Sequence, residues 1–583
     1  MSRIIKNFKI REWLFIAVTL FLTYTQVWLD LKIPDYMSEV TILVQTDGST
    51  MAEILNAGGW MLLCSIGSLI LTICISFFAA QMATTVAMRM RAEVYNKTIS
   101  FSMADMTDFT TGSLITRTTN DITQIQLFMA MGYTAFLRAP IMCIMAITKI
   151  LGKNVTFSMV TAAAVCILLV TVTILLSLTI PKSQKLQKLI DNLNTVVREH
   201  LTGVRVVRAY NAEGYQEDKF EKANEEVTAT NTFVNRTMAF MHPFMSNLMT
   251  GITLAIYWVG AFLINDAVGY DKLTIFSDMI VFSSYAMMIV MSFMMLTITF
   301  VMLPRVIVAL GRVNEVVNFE NVIVDGKVTE SKEVSPVAVE FKHVTFSYGD
   351  SEEAVLEDIS FKINKGETAA FIGSTGSGKS TIVRLILRFH EVTSGEILVD
   401  GINVKDYTQH ALREKLGLVS QSAILFNGDI TSNIAFGIEE NISEEQLNKA
   451  VEIAQAKDFI DGIGLHGRVS QSGLNLSGGQ KQRVSIARAL YKKSEVYIFD
   501  DCFSALDYRT DKMLRAKLRE ETEGATKLMV AQRISTVKDA DQIIVLDGGK
   551  VAGIGTHRTL LDTNAIYREI AESQLSKEEL NYA

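Results

Sequence analysis

Two stretches of this chain carry residues suited to phosphate chemistry. The first is Gly373-Ser374-Thr375-Gly376-Ser377-Gly378-Lys379-Ser380. It follows the apolar run 368–372, patterned as a buried strand, and precedes the helix-patterned run 381–389 that opens on Thr381. Glycines let successive backbone N–H groups turn toward one anion, and the helix start adds donors and the positive end of a dipole. Lys379 can then reach the outer phosphates of a nucleoside triphosphate, and the Ser380 hydroxyl can bind Mg²⁺. An ordinary Gly/Ser turn leaves the strand–loop–helix context unexplained. A dinucleotide fold built on Gly376 and Gly378 fails because Lys379 and Ser380 complete the phosphate-loop pattern. The second stretch is the apolar run 496–499, which ends in Asp500-Asp501. A carboxylate at the tip of a buried strand can hold Mg²⁺ through water, and one beside it can position an attacking water.

The elements that must present these groups are of two kinds. At 583 residues the chain is too long for one compact domain, and at 49% hydrophobic and 20% charged it is too apolar for a soluble enzyme. A net charge of −7 argues against nucleic acid as a partner. Cys64, Cys74, Cys143, Cys166 and Cys502 show no metal-ligand or redox spacing, and they read as small hydrophobes. Of the 27 Met, 25 precede Pro336, as do all four Trp, whereas the glycine-rich motifs follow it; two domains in different solvents explain that division.

Six runs are long enough to cross a bilayer: 13–29, 58–80, 127–147, 157–180, 244–264 and 279–303. Trp13, Trp28 and Trp60 fall near span ends, where an amphipathic ring suits the headgroup layer. Arg3, Lys6 and Lys9 precede the first run, which lacks a small-residue cleavage site, so it reads as a first span with a cytoplasmic N-terminus rather than a signal peptide. The long connections after spans two and four carry Arg89, Arg91, Lys97 and Arg117, then Lys182, Lys185, Lys188, Arg198, Arg205, Arg208 and Lys219. Unstructured loops of that length are unusual, so both read as helices that continue into the cytoplasm. The connection after span one is acidic, with Asp30, Asp35, Glu39, Asp47 and Glu53 against Lys32. Lys149 and Lys153, between spans three and four, run against the charge rule. The expected architecture is an α-helical membrane domain of six helices over residues 1–320, a linker over 321–338, and an α/β phosphate-loop domain with a largely parallel sheet over 339–583.

Further motifs narrow the reading. Leu476-Ser477-Gly478-Gly479-Gln480 precedes the helical run 481–490 and resembles the signature of ATP-binding cassette proteins. Tyr348 resembles that family's adenine-stacking aromatic. Gln421 resembles the glutamine that senses Mg²⁺ and contacts the membrane domain. Ser504-Ala505-Leu506-Asp507 resembles its D-loop, which adds Asp507 to the catalytic set. Phe109, Gly112, Leu114, Arg117 and Asp121 resemble the first coupling loop of exporters, and 204–220 resembles the second. With the cassette C-terminal to six spans, the whole chain is similar to an exporter half-transporter. The resemblance implies ATP and Mg²⁺ as cofactors, with Mg²⁺ held by Ser380, Gln421 and Asp500. It also implies a multi-pass protein of the cytoplasmic membrane with its cassette in the cytoplasm. Two cassettes would sandwich two ATP, each between the phosphate loop of one chain and the signature of the other. Closure of this kind is a common switching device.

Two positions depart from the pattern: Asp501 stands where the family has Glu, and Gln532 stands where it has His. Asp is one methylene shorter, and an amide cannot become a cation or carry a proton as imidazole can. Gln471 also replaces a Glu common before the signature. The combination resembles the impaired-site subunit of heterodimeric bacterial multidrug exporters, which implies a second, different half-transporter as partner.

Arg138 lies in the third span, where a charge is costly and usually faces a partner or a wet cavity; a functional cavity role and a snorkelling structural role fit it equally. His242, at the start of the fifth span, reads as interfacial. Met279, Met287, Met288, Met291, Met294, Met295 and Met302 crowd the sixth span. They fit plain gap-filling, and they also fit a surface that accepts varied apolar shapes. A small lipophilic substrate taken from among the membrane lipids follows from the resemblance. Lipid export, peptide export and an ATP-gated channel subunit are the alternatives. A soluble cassette acting on ribosomes or DNA repair is excluded by the spans.

Overall fold

The computed structural model describes residues 10–575 except 47, 152, 269, 331–334, 350, 352, 439 and 440, and the side chain of Tyr270. Arg3, Lys6, Lys9 and Asp47 therefore lie outside the described residues. The chain forms two compact units. One holds the residues up to Ile99 together with Thr111–Phe319, and the other holds Ser100–Thr110 together with the chain from Glu320 onward.

Among the described residues, the first unit contains six helices long and apolar enough to span a membrane: Ile10–Gln45, Met51–Ile99, Thr111–Leu151, Val155–Ala209, Glu213–Asp266 and Asp271–Asn318. The basic connections after spans two and four are helical, as expected. The acidic connection after span one is different. Asp30, Asp35 and Glu39 lie on the first helix itself, which runs on past Pro34 to Gln45. Charge in an apolar helix is costly unless paired; Glu39 is exposed, and Asp30 and Asp35 are paired. Arg138 donates to Asp30 at 2.9 Å, and Ser68 donates to the other oxygen of Asp30 at 2.5 Å. Lys149 donates to Asp35 at 2.7 Å, and the Tyr285 hydroxyl donates to the same carboxylate at 2.6 Å. Lys153 donates to Asp278 at 3.1 Å. Lys149 and Lys153 thus break the charge rule at little cost, because each is neutralised by a neighbouring helix. Near the other end, Arg89 pairs with the buried Glu12 at 2.7 Å. The apolar centre of the unit is built around Phe157, Ile256, Phe282, Tyr285 and Ile289, all fully buried.

The second unit is an α/β domain with three sheets among its described residues. The largest has the order β12–β11–β3–β10–β9–β6, with β6 (Leu416–Val419), β9 (Val496–Asp500), β10 (Thr526–Val530), β3 (Thr368–Gly373) and β11 (Gln542–Asp547) parallel, and β12 (Lys550–Gly555) antiparallel at the edge. An antiparallel sheet of order β2–β1–β4–β5 joins β2 (Leu356–Asn364), β1 (Val337–Phe346), β4 (Ser394–Val399) and β5 (Ile402–Asn403). A short pair, β7 (Gly428–Asp429) and β8 (Arg468–Val469), completes the set. Strand side chains alternate between faces, and the parallel sheet obeys this. Ala369, Phe371, Leu528 and Val530 face one buried core, whereas Ala370, Ile372 and Met529 face the other. Because both faces are covered, its strands read as continuous apolar runs.

Part of the stretch read as a linker is pinned to the domain. Gly326 N–H donates to Tyr407 O at 3.0 Å, Val328 N–H to Asp406 O at 2.8 Å, and Arg388 to Val324 O at 2.9 Å.

Candidate nucleotide-binding site

The phosphate loop joins the C-terminal end of β3 to a helix over Lys379–Ile386, where a parallel α/β sheet places its ligands. Two glycines are dictated by geometry. At Gly373 a Cβ would lie 2.0 Å from Leu546 O on the adjacent strand. Gly378 caps the helix at φ +93°, a region open to glycine at no steric cost. Ser374, Thr375 and Gly376 are exposed at the tip, and Ser377 is buried beneath it. The Lys379 ammonium folds back into the loop and donates to the carbonyls of Gly373 at 3.0 Å and Ser374 at 2.7 Å. Burial lowers the Lys379 pKa, against the pull of Asp501 and Asp500.

Adjacent strands bring the acidic pair beside this loop. Ser380 Oγ donates to Asp500 Oδ1 at 2.8 Å. Burial pushes the Asp500 carboxyl above the ordinary carboxylate range; the Ser380 hydrogen bond and Arg384 oppose that, and the neighbouring Asp501 adds to it. Asp501 adopts φ +46°, the left-handed region that Asp enters more readily than most residues. Its backbone N–H donates to Val530 O at 2.9 Å, and Ser504 Oγ donates to its carbonyl at 2.9 Å. Its side chain then meets two amides: Gln421 Nε2 at 3.2 Å and Gln532 Nε2 at 3.0 Å, both on Oδ2. Burial raises the Asp501 carboxyl as well, against the hydrogen bond from Gln421 and the charge of Lys379.

Tyr348 is half-buried after β1, edge-on to Phe346 and to His390, with its hydroxyl 3.2 Å from Thr381 Oγ1. Burial, then Arg384, lowers the pKa of His390, which is neutral at pH 7.

The signature residues form a separate group. Ser477 caps the helix Gly478–Tyr491 in a reciprocal box: Gln480 N–H donates to Ser477 Oγ at 3.3 Å, and Ser477 N–H donates to Gln480 Oε1 at 2.8 Å. Leu476 is buried under the turn, and Gly479 packs near Ala505 O, so the signature abuts the segment before Asp507. Asp507 caps the next helix, Tyr508–Glu521, by accepting from Thr510 N–H at 3.3 Å. Ser477 and Gly478 are exposed at the helix start, with Gln480 partly buried behind them, which is an anion-binding geometry.

The structure thus gathers Lys379, Ser380, Gln421, Asp500, Asp501 and Gln532 into one cluster, with Tyr348 and Thr381 joined through their hydroxyls at its edge. Among the described residues, the capping hydrogen bonds of Ser477 and Gln480 are made within the signature. Three further residues escaped sequence reasoning. Arg384 donates to the Tyr348 hydroxyl at 3.2 Å. Gln482 donates to Ser420 O at 3.0 Å beside Gln421. Gln574 donates to Gln532 O at 2.8 Å and accepts from Ile534 N–H at 2.8 Å. Arg384 falls in the helix after the loop and could have been found there; Gln574 has no local signal. Cys502 is fully buried and burial holds its thiol well above the usual range, as suits a core residue, whereas Cys166 is exposed on its apolar helix.

Known proteins match this arrangement. A family model described as ABC transporter matches residues 356–504, and one described as ABC transporter transmembrane region matches residues 15–293. An uncharacterized ABC transporter ATP-binding protein of Mycobacterium bovis is 37% identical over 90% of this chain and 88% of its own length. An ATP-dependent lipid A-core flippase of Saccharophagus degradans is 35% identical over 68% of this chain and 66% of its own length. In fold, the chain is similar to a bacterial Atm1-family ABC exporter solved with ATP bound, at a TM-score of 0.81 and 22% identity over 97% of this chain and 98% of that one. The chain therefore belongs to the ABC transporter family, as a half-transporter of exporter-type fold that is a multi-pass cell-membrane protein with a cytoplasmic ATP-binding domain.

Proposed function

We propose that this chain is one half of a heterodimeric ATP-driven exporter. It holds one ATP as a slow-turnover clamp and lends residues 476–480 to a second ATP that its partner hydrolyses. One observation carries the reading: Asp501 Oδ2 accepts from the amides of both Gln421 and Gln532. A carboxylate engaged by two amide donors is poorly placed to take a proton from water. Neither amide can serve as a cation or proton carrier.

The hydroxyl of Ser380, the carboxylate of Asp500 and the amide oxygen of Gln421 are hard donors of the kind Mg²⁺ prefers. A bound Mg²⁺ would neutralise charge on the phosphates. Lys379 would leave the loop carbonyls to meet those phosphates, and Tyr348 would present its ring to the base.

The transported compounds in this reading are lipophilic. Met287, Met291 and Met295 recur every four residues on the sixth helix and stay 43–44% exposed, a deformable apolar stripe. A lipid is the second reading, favoured by the flippase names of relatives in Saccharophagus degradans and Pseudomonas.

Purification of the chain alone in nanodiscs tests the clamp: ATP should bind and turn over slowly, and brisk turnover by a homodimer would sink the proposal. Adding a half-transporter with Glu and His at the two positions should restore turnover. Vesicles containing that pair should move amphiphilic dyes or labelled lipid in an ATP-dependent manner, and the better of the two cargoes chooses the substrate class.

A further inference from the structure

The cassette contains a cavity of about 890 Å³ that is lined by none of the sequence-predicted nucleotide residues and touches that site only through Gln574. Its floor is the face of β10 that carries Lys527 and Met529. One wall is the helix Tyr508–Glu521, through Lys512, Arg515 and Arg519; the other is the segment after Gln532, through Arg533 and Lys538. The end wall includes Gln574, the residue that grips the backbone of Gln532 and Ile534.

The charge lining this space is unbalanced. Cations at 512, 515, 519, 527, 533 and 538 face only Glu520 and Asp539 among the lining acids. Two of the six are already spent. Arg515 is paired with Asp511 at 2.9 Å and donates to Ser535 O at 2.7 Å, while Arg519 lies 3.8 Å from Asp539. Among the described residues, Lys512, Lys527, Arg533 and Lys538 form no ion pair. Surface lysines often lack one; Lys527 is different. It is the second residue of β10, a central strand of the parallel sheet, and is only 6% exposed. The acid that acts on it most, Asp541, already accepts from Thr368 N–H at 2.8 Å. Burial lowers its pKa. Asp541 and Glu523 act on it only at longer range, without an ion pair, so the ammonium of this otherwise buried side chain has the cavity as its outlet.

We propose that this cavity is a second anion site, which takes a phosphate-bearing polyanion on Lys527 with Lys512, Arg533 and Lys538 around it. The volume exceeds what one orthophosphate fills, and lysines serve phosphates as mobile point charges.

The test uses the full chain carrying Lys379→Ala, which silences the phosphate loop, with inorganic triphosphate as probe. Triphosphate should raise the melting temperature in a saturable way. Adding Lys527→Met, an apolar side chain of similar length, should weaken binding about tenfold or more. Sodium chloride or sulfate at the same ionic strength should not reproduce the shift. The proposal is overturned by no shift, by an equal shift with and without Lys527→Met, or by an equal effect of matched salt. If Lys527→Met does not fold, the exposed pair Lys512→Gln and Lys538→Gln gives the same readout, and unchanged binding in that variant overturns the site.

Discussion

The side chains of Asp501 and Gln532, 31 positions apart in the chain, meet through a hydrogen bond of 3.0 Å from Gln532 Nε2 to Asp501 Oδ2. The two departures from the family pattern are therefore one structural unit. Restoring either alone leaves the other in place, so their effects should not add.

The first prediction concerns that unit. A misplacement of about 1 Å in a positioning group costs roughly 10²-fold in rate, so Asp501→Glu with Gln532→His should raise ATP turnover by about that factor. Each single change should give much less. Phosphate release by the purified chain in nanodiscs checks it; a double variant no faster than wild type would count against the proposed impaired site. Glu enters the left-handed region less readily than Asp, so the same variants should melt slightly earlier.

Asp500 provides a second test, through pH. Its folded pKa is raised by burial, so the folded protein binds that proton more tightly than the unfolded chain does. Stability from this group grows as pH falls toward the ordinary carboxylate value of about 3.9, and the ionised form is a liability at neutral pH. Asp500→Asn keeps an oxygen for Ser380 and removes the charge. Without nucleotide it should melt at the same temperature or a few degrees higher at pH 7. It should also lose the Mg²⁺-dependent part of ATP stabilisation. A drop in the nucleotide-free melting temperature contradicts the reading of this ionised carboxylate as a liability.

Asp400 has the opposite sign. Burial pushes it up, but hydrogen bonds from Lys365 and Lys415 at 2.9 and 2.6 Å outweigh that, and its pKa lies below the ordinary value. Its contribution is complete above the unfolded value and fades as pH falls through the lowered folded one. Asp400 sits at φ +53°, which Asn also tolerates, so Asp400→Asn isolates the charge. Breaking a buried pair costs about 3–5 kcal/mol; with Lys365 40% exposed, about 2 kcal/mol is the expected loss. Denaturant unfolding at pH 7 and again near pH 3 measures it, and the difference from wild type should shrink at the lower pH.

In the membrane unit, Asp30 holds Arg138 and Ser68 together. Asp30→Ala strands a guanidinium in an apolar helix and should sharply lower the yield of folded protein, whereas Asp30→Ala with Arg138→Ala should recover much of it. Fluorescence-detected size exclusion of the three variants decides. Equal losses in single and double variants would show that the pair contributes little.

Much of this protein was legible in its sequence because the signals are local. A glycine-rich turn between a strand and a helix, an acidic pair at a strand tip, and apolar runs of bilayer length each declare themselves within a few tens of residues. The parallel sheet followed from apolar strands alternating with helices. The departures at Asp501 and Gln532 were also plain in the sequence, as residue types at marked positions. The tertiary structure decided what those residues touch. Ion pairing of Asp30 with Arg138, of Asp35 with Lys149 and of Asp278 with Lys153 depends on which helices pack together, and no spacing rule encodes that. The same holds for the hold of Gln574 on Gln532 and for the cationic cavity over Lys527. Each joins segments distant in the chain, and such contacts form only when the fold brings those surfaces within hydrogen-bond or van der Waals reach.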